Sequence, residues 1–357
     1  MIKHASRRIR TKRTRWSRHP AVPFIFSNQQ EPEMDRCIFC KNSSTGSRSV
    51  EHVVPQALGN TTQTLPRGVV CDKCNNYFAV KIEKPFLESE TVLPLRHHQK
   101  VPNKKGRVPS LDVSFGPDMP ARLHTFPRLP FAGIVEISPS GLIAVKKSGS
   151  KVLNAPAARD EWPEYVVSRF MAKAAVESLA ARAETQPQLL DSLVDDVPLE
   201  PLRKYARYGE GPLWPHRSRR IHSCCLSWKL PDQSIVQRIW ESDLFYTDDD
   251  HLHYTLSIFG LELTIDMNAR STASYSDWLR DNNDTSPLFD EQYRNSPTNG
   301  IPVCDYCDAE LASPATGCPC GATATHDASS RSAAQNGAHH CTPGRGSQLL
   351  LVVRESI

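Results

Sequence analysis

The chain has 357 residues, 39% of them hydrophobic and 23% charged, with a formal net charge of +4 and eleven cysteines. That length accommodates two or three domains, and no apolar run approaches the length that spans a bilayer, which argues against a helical membrane protein. Paired cysteine spacing without an export signal favours thiolates held by metal in a reducing, cytoplasmic setting over disulfides.

Residues 1–34 read as a flexible basic arm. Lys3, Arg7, Arg8, Arg10, Lys12, Arg13, Arg15 and Arg18 are offset by no acidic residue, and Pro20, Pro23 and Pro32 argue against long regular structure. Such an arm attracts a phosphate backbone without reading base sequence. A solvated tail or an organellar transit peptide would have the same composition.

Residues 35–90 carry the strongest pattern. Cys37-Ile-Phe-Cys40 and Cys71-Asp-Lys-Cys74 are two Cys-x-x-Cys pairs with the spacing of a tetrahedral zinc knuckle, each pair on a tight turn. Four sulfurs complete a zinc shell and leave His52, between the pairs and beside Glu51, free for other chemistry. Within this unit Ser49 to Val54 has strand character, Pro55 to Gly68 reads as a loop, and Val69-Val70 as the start of a return strand. Asn75 to Glu83 reads as a helix stopped by Pro85.

Residues 91–285 read as an α+β domain with no motif of its own. Leu111 to Phe115, Gly133 to Ile137 and Gly141 to Val145 look like strands, the last two joined by Ser138-Pro139-Ser140. Glu164 to Glu184 is the clearest helix, with Lys173 placed as a solvated residue on its face. Ile221 to Leu230, Ser234 to Trp240 and His253 to Ile265 read as strands, and the alternation in the last suggests a half-buried sheet. Asp248, Asp249, Asp250, His251 and His253 fit a solvated turn better than a second metal site. In residues 286–357, Cys304, Cys307, Cys318 and Cys320 could form a second zinc ribbon, followed by a polar tail.

Taken together, Cys37, Cys40, Glu51, His52, Pro55, Gly59, Cys71, Cys74 and Asn75 resemble the HNH endonuclease family, in the version where zinc pairs bracket the nuclease motif. The resemblance implies an overall α+β protein: a small zinc-stapled ββα-metal nuclease domain, a larger α+β domain and, if the later cysteines bind metal, a zinc ribbon. It implies structural Zn²⁺ on Cys37, Cys40, Cys71 and Cys74. It also implies His52 as general base and Glu51 and Asn75 as ligands of Mg²⁺ or another divalent cation, with DNA as the partner. Oxygen donors suit such a hard cation. The implied activity is hydrolysis of phosphodiester bonds in DNA. The competing reading is a zinc-dependent DNA-binding protein without catalysis. That reading is motivated by a departure from the family pattern: the middle asparagine that fastens the hairpin loop is replaced by Pro66, leaving Asn60 to substitute from the other side of the loop. Neighbours on a regular strand also face opposite ways, so Glu51 and His52 cooperate only if the strand ends or twists there.

Overall fold

The computed structural model describes residues 35–116, 119–126, 133–149, 152–156, 162–183, 187–224, 226–237, 239–289, 300–304, 309–311 and 349–353. The basic arm lies outside these residues, as do Cys307, Cys318 and Cys320 of the expected second ribbon. Helices and strands are mixed, as the α+β expectation requires.

The cysteine segment contains little regular structure. Strand β1 (Glu51–His52) pairs antiparallel with β2 (Thr64–Leu65), with Glu51 opposite Leu65 and His52 opposite Thr64. The return strand is therefore Thr64–Leu65 and not Val69-Val70. Those two valines are buried in a bend, where the Val69 carbonyl accepts from the Ile38 N–H at 2.9 Å. Helix α1 (Asp72–Phe78) follows with Cys71 as its N-cap. Pro85 does not end the helical run: the chain passes through a π-turn (Ala79–Glu83) into α2 (Lys84–Leu87), where the proline occupies the first turn. The run is continuous there, Glu83 being itself helical, and the wider π-turn before it accommodates a residue that has no N–H to donate.

Helix α3 (Val92–His98) leads to a sheet of β3 (Leu111–Ser114), β4 (Pro120–His124), β5 (Gly133–Ile137) and β13 (Leu349–Val353), in the order β13-β5-β4-β3 with β13 parallel to β5. The expected strand at Gly141–Val145 is instead helix α4 (Pro139–Ser148). Ser138 caps it by accepting from the Gly141 N–H at 3.0 Å, and Pro139 sits at the first helical position. Serine followed by proline is a helix-start signal that outweighs the β propensity of Leu-Ile-Ala-Val.

The body is organised around helix α5 (Glu164–Ala183), which is buried along nearly every face of its middle turns. Its alanines at 172, 174, 175 and 180 let neighbours approach closely. It meets α6 (Pro187–Asp195), α7 (Glu200–Tyr208), α2, the π-turn, β2 and a four-stranded antiparallel sheet. That sheet has the order β6-β11-β10-β9, built from His216–Arg220 (β6), Trp240–Tyr246 (β9), Leu252–Ile258 (β10) and Leu261–Asp266 (β11). Phe170 of α5 stacks on Phe86 of α2 with ring centroids 3.8 Å apart, so one apolar cluster runs from Cys37 to Met267. A smaller three-stranded sheet joins β7 (Leu226–Lys229), β8 (Ile235–Gln237) and β12 (Ile301–Cys304), with buried Cys304 opposite Leu226.

Strands β10 and β11 are buried on both faces, where alternation suggested one. The polar set that would have met water is covered by α8 (Ala273–Asp281) and satisfied internally. Thr255 pairs with Thr264 at 2.8 Å, Ser274 with His253 at 3.0 Å, and the Tyr275 hydroxyl donates to Glu262 at 2.5 Å. Their hairpin turns at Phe259-Gly260, both at positive φ; a Cβ on Gly260 would lie 2.1 Å from the His222 carbonyl oxygen.

Candidate functional site

The site is built on the cysteine segment. Its first turn, Cys37 to Cys40, closes through the Lys41 N–H donating to the Cys37 carbonyl at 2.9 Å, and the second pair opens α1. The four Sγ atoms lie within 4.8 Å of one another. A tetrahedron of Zn–S bonds near 2.3 Å spaces its sulfurs about 3.8 Å apart, and the Cys40 and Cys71 sulfurs are separated by 3.7 Å. In donor type and spacing the cluster fits zinc. The thiols do not titrate alike: a hydrogen bond from Cys74 lowers Cys37 to about 5, while burial raises Cys71 to about 11. Arg207 of α7 donates its Nε to Cys74 Sγ at 3.1 Å, setting a cation beside sulfurs that carry negative charge when they bind metal.

Between the pairs, two polar residues hold the loop. Asp72 on α1 accepts from the Arg48 and Ser49 N–H groups at 3.0 and 2.9 Å, fixing the approach to β1. Asn60, 1% exposed, donates to the Val54 and Gln63 carbonyls at 2.7 and 2.9 Å and accepts from the Thr62 and Gln63 N–H groups at 3.2 and 2.9 Å. Asn60 thus fastens the hairpin loop that Pro66 cannot. Gly59, at φ 82°, makes the turn into it.

The three residues expected to do chemistry lie on β1 and α1. His52 is half-buried, its Nδ1 enclosed and without a hydrogen-bond partner; burial lowers its pKa, which keeps the ring neutral near pH 7. Asn75 uses its Nδ2 to donate to the Val50 carbonyl at 3.3 Å, which ties α1 to the residue preceding Glu51 and leaves Oδ1 available. Glu51 is buried, and its Oε1 lies 2.6 Å from Lys173 Nζ. Strand β1 ends at His52, so no continuing pleat fixes the two side chains on opposite faces; Glu51 is buried and His52 half-buried.

Two residues here escaped the sequence reading. Lys173, read as a solvated face residue, is fully buried, and Glu83 of the π-turn stands 2.6 Å from the same ammonium. Neither carries a local signal: only the packing of α5 against the cysteine segment brings them together.

The family model for HNH endonucleases matches residues 37–90. No curated protein and no solved structure matches the chain. The match supports a nuclease and implies a nucleic-acid substrate, and among the described residues no helix is long and apolar enough to cross a membrane.

Proposed function

We propose that the chain is a metal-dependent endonuclease that hydrolyses phosphodiester bonds in DNA, with residues 37–90 as its catalytic unit and His52 as general base. The observation that carries this reading is His52 itself, a half-buried imidazole that burial holds neutral, within a segment matched by an HNH endonuclease model. A neutral imidazole can accept a proton from water near pH 7. Asn75 Oδ1 and the Glu51 carboxylate are the oxygen donors for a divalent cation such as Mg²⁺, which when bound would supply charge relief at the scissile phosphate. Zinc on the four cysteines would keep α1 and β1 in register. A purely DNA-binding role rested on the missing middle asparagine, and the four hydrogen bonds of Asn60 weaken that motive.

The test is nicking of supercoiled plasmid in Mg²⁺ or Mn²⁺ by wild type and His52→Ala. Loss of a general base costs roughly 10²- to 10⁴-fold in rate, with zinc content and melting unchanged. Equal cutting by the variant would overturn the assignment of His52. Salt-dependent DNA binding with no cleavage in either metal would favour the binding protein.

A further inference from the structure

Lys173 lies far beyond the matched segment, yet its ammonium is buried against it. Nζ stands 2.6 Å from Glu51 Oε1 and 2.6 Å from Glu83 Oε1, and it donates to the His52 carbonyl at 3.3 Å. Glu177, one turn along α5 and also fully buried, brings Oε2 to 2.9 Å, but neither of its oxygens is in hydrogen-bonding geometry. An ammonium has three N–H donors; that of Lys173 donates to Glu83 and the His52 carbonyl and is in direct ionic contact with Glu51 and Glu177. One positive charge among three carboxylates leaves a formal charge of −2 in the interior. Buried charge in surplus is costly unless a further cation or a proton offsets it.

We propose that Lys173 is a positioning residue for the cleavage site. Its hydrogen bonds to the Glu83 side chain and the His52 backbone, and its ion pair with Glu51, tie these groups to one point on a buried helix, so that the Glu51 carboxylate meets a divalent cation in a single orientation. The proposal rests on the metal-dependent nuclease reading and adds to it a residue from outside residues 37–90. Partners that orient a metal ligand in this way typically contribute 10- to 100-fold to metal affinity or activity.

Lys173→Met alone would strand two buried carboxylates and a partly buried third, and risks unfolding the chain. The informative variant is Lys173→Met with Glu177→Gln, which removes one charge of each sign. The formal charge of the cluster is then unchanged, so a change in metal binding does not come from an altered net charge. Mn²⁺ binding to the zinc-loaded full chain is measured directly by titration with electron paramagnetic resonance detection, alongside DNA affinity and single-turnover cleavage. The expected result is Mn²⁺ affinity weakened by about 10- to 100-fold, cleavage at saturating DNA reduced in parallel, and zinc content, cooperative melting and DNA affinity preserved. A folded, zinc-loaded double variant whose Mn²⁺ affinity stays within about threefold of wild type, well short of that range, would overturn the role of Lys173. If wild type cleaves and His52→Ala does not, that failure touches Lys173 alone. If wild type neither binds Mn²⁺ nor cleaves, both readings fall.

Discussion

The cysteine segment and the body around α5 fix polar groups by opposite means. Between Cys37 and Phe78 the only strands are two of two residues each, and order comes from four convergent sulfurs, short turns and single side chains such as Asn60 and Asp72. A segment this small cannot bury enough apolar surface to be rigid by itself, and a metal ion on the four cysteines would substitute for that core. The body has a twenty-residue helix against a four-stranded sheet, and it holds its polar face through side-chain pairs buried between layers. Neither region is independent of the other. Arg207 reaches Cys74, Arg169 donates to the Tyr77 hydroxyl at 2.9 Å, and Lys173 reaches Glu51, so three cations of the helical layer meet groups of the cysteine segment. Precision in the site comes from the seam between the two regions.

The sharpest way to break this comparison is to remove any metal that the four cysteines hold, zinc by their donor type. Chelation, or Cys74→Ser, should forfeit on the order of 10 kcal/mol of binding free energy. Amide protection across residues 37–78 should then be lost while β10 and β11 keep theirs in hydrogen exchange. Equal loss in both would mean that metal and sheet form one cooperative unit.

A smaller effect is expected from Asn60→Ala. It leaves the Val54 carbonyl without its 2.7 Å donor and deletes three further bonds in a buried loop. The cost should be about 3 kcal/mol by urea denaturation, with zinc retained. A change near zero would show that the cysteines close the loop unaided.

The smallest effect belongs to the body and depends on pH. Buried His97 is lowered to about 4, mainly by burial, while its Nδ1 donates to the Pro109 carbonyl at 2.7 Å and Nε2 pairs with the Thr125 hydroxyl at 2.8 Å. Its folded value lies below the usual 6.5, so the unfolded chain binds the extra proton first. The stabilisation is full above pH 6.5 and is lost as pH falls toward 4. Between pH 7.5 and 5 wild type should lose about 2 kcal/mol more than His97→Gln. His98, His216 and His253 shift in the same direction but are present in both proteins, so the difference isolates His97.

Much of the site was legible because its chemistry is local. A Cys-x-x-Cys turn brings two sulfurs together whatever surrounds it, and Glu51-His52 and Cys74-Asn75 are neighbours in the chain. Helix Glu164–Ala183 and strand Gly133–Ile137 were equally plain, since each carries its own propensity. Where two local signals competed the reading failed, as at Ser138-Pro139, where a cap overrode strand formers. It failed again at β10 and β11, because alternation marks two faces without saying which of them meets water.

The order of residue types along the chain was enough to specify the four-cysteine cluster, the histidine left outside it and the mixed architecture, since each depends on atoms a few residues apart. What folding alone decided is the company those atoms keep. Asn60 closes the loop in place of Pro66, Glu83 and Lys173 come within 2.6 Å of each other across 90 residues, and Arg207 meets a sulfur 133 residues away. Such pairings have no periodicity to betray them; they exist because burying α5 against the small cysteine segment brings enclosed polar groups of the two together.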